Sequence, residues 1–331
     1  MAVMHMNAEV SRISTPVTEL LGIRYPIVQG GLARIARADL AAAVSNAGGL
    51  GQITIGGLAE PDLLRAEIRK ARAMCALPFG VNFPVGHLEI GPLLDVALEE
   101  DVALVSFTGG NPKPYIPLVK QTKAKILILV AGPEQAKKSE QAGADLIATV
   151  GYEGGGHLGR TDLTTMVSVP LVAKAVSIPV LAGGGIADGH GLVAALALGA
   201  HGVEIGTRFI AVREAYAHQN YKDRIVTTRE NDTVIIKRTI GTPGRALNNA
   251  RAQQVIAAEN AGATREEVLG MVRAEANERG VIEGDMDDGL LWAGQSAALV
   301  DDIPTVAELM HRIVTEAQQR ATGIMHMFKA G

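Results

Sequence analysis

Residues 150–160 read V-G-Y-E-G-G-G-H-L-G-R, and the run before them, D-L-I-A-T-V at 145–150, reads as a buried strand. Five of those eleven residues are Gly. Glycine lets backbone approach another group closely and take positive φ. Among the glycines stands one imidazole, His157. A strand end of this kind suits a flat or phosphorylated cofactor with an acid/base beside it. The bland alternative is a tight turn carrying a solvent-exposed His.

Working outward, the same strand-then-glycine pattern recurs. Short apolar runs predict strands at 26–29, 49–55, 79–83, 103–107, 125–131, 145–150, 179–185 and 202–209. Helical patterns lie between them at 39–47, 61–74, 92–100, 115–121, 134–142, 164–175 and 188–198. Asp39 is the expected cap of the first, and Gly143 and Gly199 close two of the others. Eight strand–helix steps at a spacing of about 20–25 residues predict an α/β fold, a (β/α)8 TIM barrel over residues 15–210. A doubly wound sheet is the runner-up, but it favours fewer strands and one dominant glycine fingerprint. Residues 211–300 break the rhythm and are polar and helical, with helices at 213–220, 253–259 and 265–277 and an extended piece at 233–238. They predict a small helical substrate lid over the barrel mouth. Residues 301–331 predict a C-terminal amphipathic helix at 306–322, capped by Asp302 or Thr305, that packs back on the barrel.

The 331 residues are 47% hydrophobic and 20% charged, as in a soluble globular protein. Aromatics make up only 3%, so Ala, Val, Ile, Leu and Met must build the core. A net charge of −4 without a basic stripe argues against nucleic acid as a partner. The single cysteine, Cys75, excludes an internal disulfide and fits a reducing cytoplasm; it lies in an apolar run and reads as core rather than nucleophile. No apolar run reaches the ~18–20 residues that cross a membrane. Residues 1–10 lack the pattern of a secretion signal and read as a frayed tail. A cytoplasmic location is therefore expected.

A barrel site lies at the C-terminal ends of its strands. Here those ends carry Gln29, Gly30 and Gly31, then Asn82, Thr108, the stretch from Glu153 to His157, Gly183 to Gly185, and Glu204 to Thr207. The pair A-G-G-G-I at 182–186 and E-I-G-T at 204–207 ends consecutive strands, the seventh and eighth, where free backbone N–H groups commonly hold a phosphate. Thr207 adds a hydroxyl. His157 has no nearby Ser or Cys nucleophile and no second His at ligand spacing, so no metal is expected and proton transfer suits it better. His87, His190 and His201 read as surface groups. Glu153 either orients His157 or caps the turn.

With these residues in hand, the chain resembles the FMN-dependent nitronate monooxygenase family, formerly 2-nitropropane dioxygenases, which includes the flavin-dependent enoyl-ACP reductases. The resemblance rests on P-I-V-Q-G-G-L at 26–32, A-V-S-N-A-G-G-L-G at 43–51, P-F-G-V-N at 78–82, E-G-G-G-H-L-G at 153–159, A-G-G-G-I-A-D-G at 182–189, G-T-R-F at 206–209 and W-A-G-Q at 292–295. It implies an FMN barrel in which Gln29, Gly30 and Asn82 contact the flavin. Gly155, Gly184, Gly185, Gly206 and Thr207 would hold its phosphate, and His157 would be the catalytic His. The wider expected cofactor set adds Gly31, Thr108, Glu153, Glu204 and Ile205. Two departures stand out: Val150 replaces a usual Gln or Glu, and Gly154 a usual Ala. The resemblance inclines slightly to a nitronate as substrate and O2 as oxidant. The alternative is an enoyl thioester or quinone with NAD(P)H as co-substrate, to which T-G-G-N-P at 108–112, H-Q-N-Y-K-D at 218–223 and E-G-D-M-D-D-G at 283–289 look closer. Arg245 and Arg251 offer part of a basic patch for an acidic carrier. A non-catalytic flavin-binding barrel is the remote third reading, and a homodimer stays open.

Overall fold

Strand β1 (Ile27–Gln29) pairs in parallel with β9 (Gly202–Ile205), and a parallel bridge from Val28 to Leu50 leads toward β2 (Gln52–Thr54). Between these ends run β3 (Gly80–Pro84), β4 (Leu104–Thr108), β5 (Lys125–Val130), β6 (Leu146–Val150) and β8 (Val180–Gly183). The order β1-β9-β8-β6-β5-β4-β3-β2, closed by that bridge, is a ring of eight parallel strands. The computed structural model describes residues 12–86 and 89–329, so the tail at 1–10 and His87 lie outside the described residues.

Alternation along each strand builds two apolar layers. Val28, Leu50, Leu104, Leu127, Leu146, Ala148 and Leu181 form one fully buried cluster inside the ring. Their neighbours Val81, Phe83, Val105, Phe107, Ile126 and Ile147 face outward into a second cluster with the helices. Those helices are α2 (Ala38–Asn46), α3 (Pro61–Met74), α4 (Gly91–Glu99), α5 (Ile116–Val119), α6 (Pro133–Ala142), α7 (Thr165–Ala175) and α8 (Gly189–Ala197); α1 (Pro16–Leu21) precedes the barrel. Three aromatic residues pack in sequence here: Phe83 lies tilted against Phe107, and Phe107 stacks on Tyr115, with centroids 6.1 and 6.2 Å apart. Cys75 is buried, as its apolar surroundings predict.

Several boundaries differ from the sequence reading. Asp39 sits inside the first turn of α2, where it pairs with Lys70, and Arg37 holds the cap position. The carboxylate therefore favours the helix N-terminus by charge rather than by a cap hydrogen bond. His201 is not a surface group: it is half-buried, its Nδ1 accepts from Val180 N at 3.1 Å, and burial lowers its pKa. His190 is exposed, 3.7 Å from Asp188.

Residues 211–300 hold more than helices. After α9 (Gln219–Val226) come β10 (Thr233–Ile236) and β11 (Gly244–Leu247), an antiparallel pair. Then follow α10 (Ala250–Asn260), α11 (Arg265–Met271) and α12 (Ala274–Val281). The predicted helix at 213–220 begins only at Gln219, because the His218 side chain caps it there. β11 also pairs with the two-residue strand β7 (Gly156–His157), so the lid sheet and the glycine-rich loop are one structure. Period-2 apolar alternation is too short at 244–247 to reveal that strand in sequence.

The closing helix α13 (Val306–Lys329) starts at Thr305, whose hydroxyl caps Glu308 N at 3.2 Å. Asp302 has another task. It pairs with Arg208, buried at the end of the barrel, and with Arg312 of α13, each at 2.6 Å. No helix among the described residues is long and apolar enough to cross a membrane.

Candidate active site

One cavity opens at the C-terminal ends of the barrel strands. It encloses about 260 Å³, or about 1260 Å³ with its open mouth. Of the expected residues, Gly30, Gly31, Asn82, Thr108, Gly155, His157, Gly184, Gly185, Glu204, Gly206 and Thr207 line it. Gln29, Glu153 and Ile205 do not.

Each of the three has a physical reason. Gln29 is fully buried and spends its amide on the barrel floor: its Oε1 accepts from Gln52 N at 2.9 Å, and its Nε2 donates to the Gly30 carbonyl. Ile205 belongs to the outer core, and only its carbonyl serves the site by accepting from Gly30 N at 2.9 Å. Glu153 turns its carboxylate away to the first turn of α7, accepting from Thr165 N at 2.9 Å and Thr165 Oγ1 at 3.1 Å. Of its two expected roles it performs the capping one, and it also underlies the turn at Gly185.

A polar chain sits beneath the cavity. Gln52 Nε2 donates to the Gln29 carbonyl at 2.8 Å, and Ser106 Oγ donates to Gln52 Oε1. Asn82 Nδ2 donates to Ser106 Oγ and to Thr108 Oγ1, both at 2.9 Å. With both amide protons fixed, Asn82 Oδ1 is aimed at Gly31, where any Cβ would overlap it. The glycine therefore keeps an acceptor in reach of a ligand.

Gly184 and Gly185 have φ of 88° and 75°, which only glycine adopts without strain. A Cβ on Gly184 would also come within 3.0 Å of Gly151 N. Across the cradle, Thr207 Oγ1 accepts from Gly294 N at 2.9 Å, leaving the hydroxyl proton to donate. Two buried oxygens of lining residues have no partner, Glu204 Oε1 and Asn277 Oδ1. A buried polar atom left unmatched costs about 1–3 kcal/mol, so such atoms mark a ligand's place. Burial alone lifts the Glu204 carboxyl to about 7.

His157 stands exposed at the cavity lip, its ring centroid 5.5 Å from that of Trp292. Behind Trp292, Lys237 is almost fully buried with its Nζ 5.2 Å from the indole centroid, and burial depresses its pKa to about 8. The loop is held from two sides. Gln295 N donates to the Glu153 carbonyl at 2.9 Å, and Leu158 N to the Pro243 carbonyl at 2.9 Å.

Sequence reasoning missed part of the wall. Tyr221, Asn277 and Ser296 reach the cavity from the lid side, and Leu32, Ile35, Leu129 and Ile186 make it apolar. Tyr221 is fully buried and donates to the Trp292 carbonyl at 2.8 Å. No local pattern distinguishes these residues from ordinary helix or core positions. Val150, in place of the usual polar residue, lines the cavity as one more apolar group. The basic patch dissolves: Arg245 is buried, donating to the Tyr152 carbonyl at 3.0 Å, and Arg251 pairs with Asp288 at 2.5 Å.

Comparison with known proteins places the chain with this cavity and these lining glycines in a family. The profile described as nitronate monooxygenase matches residues 14–93 and 88–316. The chain belongs to the nitronate monooxygenase family. It is 33% identical to the nitronate monooxygenase of Pseudomonas aeruginosa, over 90% of this chain and 98% of that one. It is 34% identical to a Mycobacterium tuberculosis protein named as a 5-hydroxy-7a-methyl-1-oxo-octahydro-indene-4-carboxyl-CoA dehydrogenase, over 92% and 96%. Among solved structures, FabK from Thermotoga maritima superposes with a TM-score of 0.90 at 40% identity, covering 95% of this chain and 99% of that one. Members of this family are enzymes, and this one is an oxidoreductase with a TIM-barrel fold.

Proposed function

We propose that the protein is an FMN-dependent oxidoreductase that reduces an α,β-unsaturated thioester, with His157 as its acid/base. The observation that carries the cofactor reading is the shared cradle: Gly184 and Gly185 after β8, both at positive φ, and Gly206 and Thr207 after β9 present backbone and a hydroxyl to one cavity. The residues suit FMN. Gly184, Gly185, Gly206 and Thr207 would hold the phosphate, while Gly30, Gly31 and Asn82 would meet the ring.

FMN, when bound, supplies hydride transfer between NAD(P)H and the substrate. The protein's own part is placement and one proton. Leu32, Ile35, Leu129 and Ile186 keep water from the reacting carbons, which strengthens every polar contact inside. Asn277 Oδ1 offers an unused acceptor on the lid side. An imidazole nitrogen of His157 gives its proton to the α-carbon as the β-carbon gains hydride.

The thioester is favoured over the nitronate by the relative named for a carboxyl-CoA substrate, by the three stretches at 108–112, 218–223 and 283–289, and by the apolar wall. Nitronate oxidation is the second reading, supported by the family description and by the Pseudomonas aeruginosa relative. There His157 would take a proton from the nitroalkane or steer the nitronate.

Anaerobic mixing separates the two. A yellow protein bleached by NAD(P)H and recoloured by an enoyl thioester is the reductase. Bleaching by propionate 3-nitronate alone gives the second reading, and a bound flavin reduced by neither leaves a binding barrel. His157→Ala is expected to keep FMN and slow turnover about 10²–10⁴-fold. Undiminished turnover would remove the imidazole from the chemistry.

A further inference from the structure

Glu204 is the unusual group of this cavity. Its neighbours on β9, Val203 and Ile205, pack outward into the core with α2, α8 and α13, so alternation turns Glu204 inward. Only 6% of it is exposed, it lines the cavity, and its Oε1 finds no hydrogen-bond partner among the described residues. Gly30 opposite leaves the space: a Cβ there would stand 3.3 Å from Glu204 Cγ.

No charge compensates it. The flanking strands bring Ile27, Val28 and Gln29 from β1 and the apolar or glycine residues of β8. The one titratable group of α8, His190, is exposed and lies beside Asp188. Across the cavity the titratable groups are His157 at the lip and Tyr221, whose hydroxyl is committed to the Trp292 carbonyl. The same wall continues two residues on into Gly206 and Thr207, the arm of the anion cradle. An ionised carboxylate beside a phosphate in a dry cavity repels it, whereas a neutral carboxyl does not and can donate.

We propose that the cavity takes up its phosphate-bearing ligand together with one proton, and that Glu204 holds that proton. This rests on the reading of the cavity as an FMN phosphate site. Because burial sets the free carboxyl near 7, proton uptake comes into play just above neutrality. Below that pH the carboxyl is already neutral and binding is insensitive to it. Above it, affinity falls as pH rises, approaching about tenfold per unit.

The test uses holoprotein, diluted and equilibrated from pH 6 to pH 9, with free FMN read by its fluorescence. The phosphate's own second ionisation, near pH 6, is common to every variant, so the comparison is with Glu204→Gln. Wild type is expected to release FMN increasingly above neutrality, and Glu204→Gln to hold it with a flatter profile and more tightly at pH 8. A second reading needs no variant: infrared spectroscopy of wild-type holoprotein at pH 8 should show a buried protonated-carboxyl C=O stretch. Parallel release profiles, or no such band, would overturn proton uptake while leaving the flavin site intact. FMN bound by neither protein would instead take down the cofactor reading, and this inference with it.

Discussion

At Gly31 a single missing atom decides how much room the cavity has beside Asn82. Any Cβ there overlaps Asn82 Oδ1, whose amide is fixed by Ser106 and Thr108. Gly31→Ala should therefore fold, since its φ is not in the positive region, but lose FMN; retained yellow colour after gel filtration would contradict this. Lys237 makes a second prediction at this scale. Its amine titrates near 8 in the folded chain against an ordinary value of 10.5. Between those values the unfolded chain carries the extra proton, so the stability cost of burying the amine is full below about pH 8 and fades as pH rises toward 10.5. Lys237→Met should thus raise the melting temperature most at neutral pH, by an equivalent of about 1–3 kcal/mol, and hardly at all near pH 10.5. A gain independent of pH would refute the assignment. That the glycines and His157 line one cavity was legible in the sequence because they stand at strand ends, where a parallel barrel gathers its loops. Gln29 was not, because a strand of three residues is too short for its alternation to show which way an amide turns.

At the scale of an element, Glu153 joins the glycine-rich loop to α7. Its carboxylate accepts from the first-turn donor Thr165 N, and it shares the single proton of the Thr165 hydroxyl with the Gly184 carbonyl, at 3.1 and 2.8 Å. Glu153→Ala removes a contact to the first turn of α7 and the support of the glycine turn at Gly185 together. The expected loss is about 1–2 kcal/mol of stability, with weaker FMN retention than wild type. Denaturant unfolding and flavin release read the two effects separately, and a variant with unchanged values for both would show the contact to be idle. The strand–helix alternation that makes the barrel was readable because parallel strands are continuous apolar runs between helical patterns. β11 was not, since Gly244 to Leu247 owes its extended form to partners on both sides rather than to its own residues.

For the whole molecule, the tie between barrel and closing helix runs through Asp302. Arg208 is 3% exposed and meets Asp302, which also binds Arg312 of α13. The hydrogen bond from Arg312, then the charges of Arg208 and Arg312, hold the Asp302 carboxyl below the usual range. Its contribution is complete above the ordinary carboxylate value near 4 and is lost as pH falls through the lower folded value. Asp302→Asn should lower the melting temperature at pH 7 and lower it progressively less as pH falls below the ordinary carboxylate value, and a loss that does not change with pH would argue against an ionic tie. The lid residues Tyr221, Asn277 and Ser296 belong to this scale as well. They were invisible in sequence because what brings them to the cavity is the return of residues 211–300 across the barrel mouth, not any local pattern.

The short strand Gly156–His157 is stitched to β11, and β11 to β10, so the imidazole rides on the same sheet as the roof of the pocket. Were that roof to swing aside, the imidazole would leave with it. It would return to the pocket only as the roof came down, so that an open mouth is one without its imidazole.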